Sequence, residues 1–122
     1  MKTKNIRKAG FTLVEIMIVV AIIGLLAAIA IPNFVRARTT SQANACINNL
    51  RQIDAAKNEW ALEQGQTTGT SVTDNDISPY IKMNANNSVP GCPAGGIYTV
   101  GTVGNNPTCT IGNNTSPAHI LP

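Results

Sequence analysis

At 122 residues the chain has the size of a single domain, and no internal repeat divides it. Its formal charge is +3, but Lys2, Lys4, Arg7 and Lys8 all precede Gly10, and without those four the remainder carries −1. The basicity therefore belongs to the N-terminal head and not to a nucleic-acid surface. Positive residues flanking an apolar span favour the cytoplasmic side, which places the rest of the chain outside.

Residues 11–31 are apolar or small except Thr12 and Glu15. A helix of that length covers ~30 Å, enough to cross the hydrocarbon core of a bilayer. It is longer than the apolar stretch of a conventional secretory signal, and no small-residue cleavage site closes it. Glu15 is the anomaly, because a carboxylate in a bilayer is costly and such residues usually face a partner or a pathway. The bland alternative is a Glu close enough to the interface to reach headgroup water. No cation occurs between Phe11 and Asn33 to meet it. Cutting after Gly10 would make one, by releasing an α-amine on Phe11 four residues from Glu15 on the same helical face.

Gly24 weakens the helix, and Pro32 removes a backbone donor, so both are candidate helix-breaking points. Beyond Pro32, Ala43, Cys46, Ile47, Leu50, Ile53, Ala56 and Trp60 recur at steps of three and four, which predicts one apolar stripe of an amphipathic helix. Gly65 is a natural C-terminal stop. The spacing predicts one helix from Phe11 to about Gln64. Thr73 with Asp76 three residues on predicts a capped second helix ending near Lys82. Residues 97–100 and 108–111 are β-prone and predict a hairpin packed on the apolar stripe, with 113–122 as an irregular tail across that face. The fold class is therefore α+β. A long N-terminal helix, with a membrane half at 11–31 inside a stem at 11–64, carries a small hairpin and loop domain at 65–122.

Three cysteines in an oxidising compartment allow at most one intramolecular bridge. The expected pair is Cys92–Cys109, which brackets a turn-rich stretch; closing that loop stabilises by ~3 kcal/mol in the chain-entropy picture. Cys46, in its helical context, reads as a small buried hydrophobe. His119 has no cysteine or carboxylate at ligand spacing, so no metal site is expected, and His119 reads as a surface or tail-packing residue. No phosphate-binding loop, dinucleotide fingerprint, Ser/His/Asp order or carboxylate pair appears. The chain is not expected to be an enzyme or to hold a cofactor.

The Lys/Arg-rich leader, Gly10, Phe11, Thr12-Leu13, Glu15, the apolar run and Pro32 resemble the N-terminus of type IV prepilins and type II secretion pseudopilins, over residues 1 to about 38. The stretch CPAGG-IY-T, with a second cysteine and a hairpin, also looks like small bacterial pilin-like proteins. The resemblance implies that residues 1–10 are a leader which prepilin peptidase removes between Gly10 and Phe11, and that the same enzyme N-methylates Phe11. It implies that Glu15, with Phe11 and Thr12, sets the register of subunits in a helical homo-oligomeric filament. It further implies that the Gly24–Pro32 stretch loses helicity there, and that an assembly ATPase and an inner-membrane platform protein extract the subunit. The precursor would sit in the bacterial inner membrane, N-terminus cytoplasmic, before joining an extracellular pilus or a periplasmic pseudopilus. A major pilin is the first reading. A pseudopilin or minor pilin is the second; the resemblance implies for a major pseudopilin a longer acidic C-terminal loop that holds calcium, and that role is disfavoured because only Asp74 and Asp76 are acidic after Glu63. A single-pass anchor presenting a periplasmic binding module is the rival from another class.

Overall fold

The computed structural model describes residues 8–122; residues 1–7 of the expected leader lie outside the described part. Two units are distinguished, Met1–Val35 and Arg36–Pro122. The elements in chain order are α1 (Leu13–Gln64), α2 (Asp74–Ile77), β1 (Tyr98–Thr99) and β2 (Thr108–Cys109). This is the α+β arrangement of a long N-terminal helix followed by a small hairpin-bearing region.

In the first unit, α1 is uninterrupted at Gly24 and contains Pro32 within it. The helix-breaking tendency of these two residues is not expressed in the isolated chain, although Pro32 still cannot donate to the carbonyl of Ala28. Every large apolar side chain here lies open, from Phe11 at 88% exposure to Val35 at 53%. Among the described residues one helix is long and apolar enough to cross a membrane.

The second unit builds its core on one face of α1. Ala43, Cys46, Leu50, Ile53, Ala56 and Ala61 are buried, following the expected stripe, while Ile47 and Trp60 are half-buried. Across from this face pack Val72, Ile77, Val89, Cys92, Tyr98, Val100, Val103 and Cys109. The helix ends as its sequence dictates. Gly65 takes a left-handed φ of +60°, and the N–H of Gln66 reaches back to the carbonyl of Ala61 at 2.8 Å. This is the bond that closes a glycine-terminated helix.

Two elements are shorter than predicted. The second helix stops at Ile77 because Pro79 has no N–H to extend it. Its start is as expected: the Asp76 carboxylate accepts from the Thr73 N–H at 2.8 Å and the Thr73 hydroxyl at 2.6 Å. The strands keep two residues each, with Tyr98 opposite Cys109 and Thr99 opposite Thr108. They end because neighbouring backbone groups are bonded elsewhere. Val72 N–H donates to Gly101, Val103 N–H to Thr70 and Gly69 N–H to Val103, so 101–103 pairs with 69–72 instead of continuing the hairpin.

One residue on the buried face is not apolar. Lys57 is fully buried; its Nζ donates to the Val100 carbonyl at 3.1 Å and to that of Asn105, and lies 3.6 Å from the Asp54 carboxylate. Burial holds its pKa below the ordinary 10.5, with Asp54 opposing the shift. The ammonium ties the hairpin loop to the helix by donating to two of its carbonyls, that of Val100 in a buried setting and that of Asn105 in a part-buried one.

Two consequences are measurable. Lys57→Met keeps the volume but orphans both carbonyls, and should destabilise the 36–122 unit by about 2–4 kcal/mol in denaturant titration of the full chain; a change within experimental scatter would show that the loop needs no tie. Thr73 holds the Asp76 carboxyl below its ordinary 3.8, through its hydroxyl first and its N–H second. The folded-state pKa is depressed, so this stabilisation is complete above pH 3.8 and vanishes as pH falls through the folded value. The stability gap between the wild type and Asp76→Asn should accordingly be constant near neutrality and close in strong acid; a gap that widens there contradicts the assignment.

Candidate functional site

Two groupings of chemically distinctive residues stand out, one in each unit. The first is the start of α1. Residues 8–12 are non-helical and exposed, so the Gly10–Phe11 peptide bond lies in open chain just before the helix. A Cβ built on Gly10 would meet nothing within 4 Å, so nothing inside the described chain requires glycine at this position. Thr12 and Glu15 cap the helix reciprocally. The Thr12 N–H donates to Glu15 Oε2 at 2.7 Å, and the Glu15 N–H donates to Thr12 Oγ1 at 3.2 Å. Two of the unpaired donors at a helix start are thereby satisfied. Reading Glu15 as a carboxylate without a local partner missed this, although the signal, Thr followed three residues later by Glu, was present. The pair is exposed, so the carboxylate is also open to a donor from outside the chain.

The second grouping lies wholly within the 36–122 unit. Cys46 on α1, Cys92 in the loop before the hairpin, Cys109 on β2 and His119 in the C-terminal segment bring their ligand atoms within 4.8 Å of one another, and all four are buried. The three cysteines are free thiols. Cys92 and Cys109 lie side by side, and Cys46 and His119 share their site. Cys46 is buried, as its helical context predicts, whereas His119, 3% exposed, is corrected from a surface residue to a buried one with thiols beside it.

Each side chain is aimed by local structure. The register that sets Tyr98 opposite Cys109 turns both inward, while Thr99 and Thr108 face out. His119 is fixed by its N–H, which donates to the Gly112 carbonyl at 2.8 Å, and its Nδ1 lies 3.5 Å from Cys92 Sγ. The CPAGG turn folds over Cys92, with the Gly95 N–H on the Cys92 carbonyl at 2.9 Å. At Gly96 a side chain is impossible without rearrangement, since a Cβ would stand 2.5 Å from Cys109 Sγ.

Cys46 and Cys92 are shifted in opposite directions. Burial pushes Cys46 up to about 12, with the Tyr98 hydroxyl opposing. Burial also raises Cys92, but the Ala94 and Gly96 N–H groups, His119 and Cys46 together outweigh it and bring the thiol down to about 7. Tyr98, whose hydroxyl accepts from Asn49 Nδ2 at 3.2 Å, is raised, by burial first and by Cys46 second. Sequence spacing could not reveal this cluster, because its members come from four separate segments and no two of them are close in the chain.

Comparison with known proteins bears on the first grouping. Residues 5–31 match the family described as the prokaryotic N-terminal methylation motif. The type IV major pilin protein PilA of Myxococcus xanthus is 48% identical over 60 residues, 49% of this chain and 27% of that protein. The type IV major fimbrial protein FimA of Dichelobacter nodosus is 40% identical over 82 residues, 62% of this chain and 52% of that protein. The chain thus spans between about a quarter and a half of the length of these two relatives. The type IV narrow pilus major component PilA5 of Thermus thermophilus is 35% identical over 97 residues, 65% of this chain and 81% of that protein. No solved structure matches. With an exposed apolar helix, a methylation motif at its start and a relative matched over four-fifths of its length, the chain belongs to the type IV pilin family.

Proposed function

We propose that the chain is the structural subunit of a type IV pilus: a membrane prepilin that is cleaved after Gly10, N-methylated on Phe11 and polymerised through its apolar helix. The observation that carries this reading is the junction itself. An exposed, non-helical Gly10–Phe11 bond stands just before a helix whose large apolar side chains up to Val35 the described chain leaves uncovered. Glycine there is unexplained by the chain's own packing, and an outside protease that needs an unobstructed backbone explains it.

The chemistry of assembly follows from charge. Hydrolysis of the Gly10–Phe11 bond leaves an α-amine on Phe11, protonated at neutral pH. Glu15 then has two competing claims, the Thr12 N–H in its own chain and the Phe11 amine of a neighbour. In a lipid-like surrounding a charge–charge hydrogen bond is the stronger of the two. Pairing between subunits neutralises both charges where water is scarce and fixes the axial register of adjacent helices. The stretch from Gly24 to Pro32, with its missing donor, is the part of the helix that can open at least cost once packing demands it.

The remaining partners follow from the same route. A prepilin peptidase acts on the cytoplasmic side of the inner membrane, and an assembly ATPase with a membrane platform supplies the work of extraction. In this route the chain serves as a building block. The same junction chemistry serves a pseudopilin or minor pilin equally, but the named relatives are major pilins and fimbrial proteins, which favours the pilus.

Two experiments test this. Intact mass and N-terminal sequencing of the chain from sheared surface fibres should find Phe11 first and one methyl group heavier than the bare residue; Met1 at the terminus would defeat the filament reading in favour of a plain anchor. Glu15→Ala should be cleaved normally yet reduce surface fibres at least about tenfold, the equivalent of one lost charge-assisted bond. Fibre yields equal to the wild type would remove the register role.

A further inference from the structure

The Cys/His cluster plays no part in cleavage, methylation or helix packing, and its members are buried in the core of the 36–122 unit. We propose that Cys46, Cys92, Cys109 and His119 bind one zinc ion as a structural Cys3His site, which staples α1, the CPAGG turn, the hairpin and the C-terminal segment together.

The donor set is that of a closed structural zinc site, three thiolates and one imidazole with no room needed for water. Its geometry fits a single ion. Zn–S bonds of ~2.3 Å and Zn–N bonds of ~2.0–2.1 Å make a tetrahedron whose S···N edges are ~3.5 Å and S···S edges ~3.8 Å. The observed separation from Cys92 Sγ to His119 Nδ1 is 3.5 Å, and no pair of ligand atoms exceeds 4.8 Å. So tight a grouping suits one ion and not a multi-iron cluster.

The competing use of these residues is a disulfide. Any one bridge consumes two sulfurs and leaves the third thiol and the imidazole buried side by side with nothing to do. Zinc uses all four, and it accounts for an odd number of cysteines. The surroundings are also shaped for it. The CPAGG turn closes over Cys92 through the Gly95 N–H on its carbonyl at 2.9 Å, and the bare Gly96 leaves the space that Cys109 Sγ fills. A groove of about 260 Å³ lined by Thr39, Gln42, Ala94, Ser116, Pro117 and His119 provides a route in from solvent.

The physical need is evident in the fold. Two strands of two residues each and a four-residue helix are far below what is stable alone in water. Units this small commonly rely on a cross-link or a metal. Binding balances simply. Three thiols each release a proton to solvent, the neutral imidazole donates a lone pair, and Zn(II) is neither oxidised nor reduced. Thiolates held by zinc are also withheld from oxidation in a disulfide-forming compartment. The proposal is independent of the filament reading, since it concerns only residues 46–119.

The test uses the full chain, purified in detergent without chelator. Elemental analysis should give about one zinc per chain, and alkylation after unfolding in chelator should label all three cysteines in the intact mass. Cobalt(II) added to the zinc-stripped chain should develop the intense visible bands of tetrahedral thiolate ligation. No zinc as isolated and none taken up on incubation with zinc alone would overturn the proposal, whether the thiols prove free or Cys92 and Cys109 prove bridged. His119→Gln keeps every sulfur and should weaken zinc binding at least about tenfold in competition with a chromophoric chelator; unchanged affinity would overturn the assignment of His119. Should that variant fail to fold, the cobalt spectrum of the wild type decides.

Discussion

The apolar surface of residues 11–35 is the constraint on which everything else in this protein depends. Phe11, Leu13, Leu25, Ile29 and Phe34 are each more than half exposed, and nothing within the described chain covers them. Water cannot be the final surroundings of such a surface, since an exposed apolar patch of this extent marks a membrane or an assembly interface. Lipid covers it without specificity. A second copy of the helix covers it with specificity, provided that something sets the register. The only polar features at the head of the run are Thr12 and Glu15, and they already engage one another. Under the proposed assembly, that pairing would shelter the carboxylate near lipid until a neighbouring subunit offers its amine.

The 36–122 unit solves a different problem, that of ordering mostly loop around a single amphipathic face. Regular structure accounts for little of it, so order comes from discrete ties. Lys57 holds the carbonyls of Val100 and Asn105, and the Tyr80 hydroxyl donates to Glu63. The 69–72 and 101–103 segments exchange backbone bonds, and the Cys/His cluster gathers four segments at one point. A buried lysine on an otherwise apolar stripe makes sense in this setting. Its length lets one side chain reach two carbonyls of a loop that no strand can satisfy, and the neighbouring Asp54 offsets part of the cost of burying the charge.

Much of this was legible in the residues. The helix from Leu13 to Gln64, its stop at Gly65 and the inward face through Cys46, Leu50 and Ile53 follow from periodicity and one glycine, both local signals. The capped start at Thr73 and a hairpin between the 97–100 and 108–111 runs were also readable, though not its register. Lys57 was not, because a lysine at a stripe position looks like a break in the pattern until its distant acceptors are known. The strand lengths were not, because Val100 is β-prone but its carbonyl is claimed by the distant Lys57. The cluster was least legible of all. Local spacing reveals a metal site only when ligands come in pairs on one turn, and here each ligand is delivered by a different part of the fold. Pairing Cys92 with Cys109 correctly sensed that they are neighbours, yet it could not anticipate that Cys46 and His119 arrive at the same place.

The central claim is that Glu15 exchanges its partner within the chain for one on another subunit. Electron cryomicroscopy of the surface fibres, at a resolution that traces the helix termini, tests this most directly. The account predicts Glu15 within hydrogen-bonding distance of the Phe11 amine of an adjacent subunit, with no residues ahead of Phe11. Fibres in which Glu15 still caps its own Thr12, with Phe11 amines facing elsewhere, would contradict it.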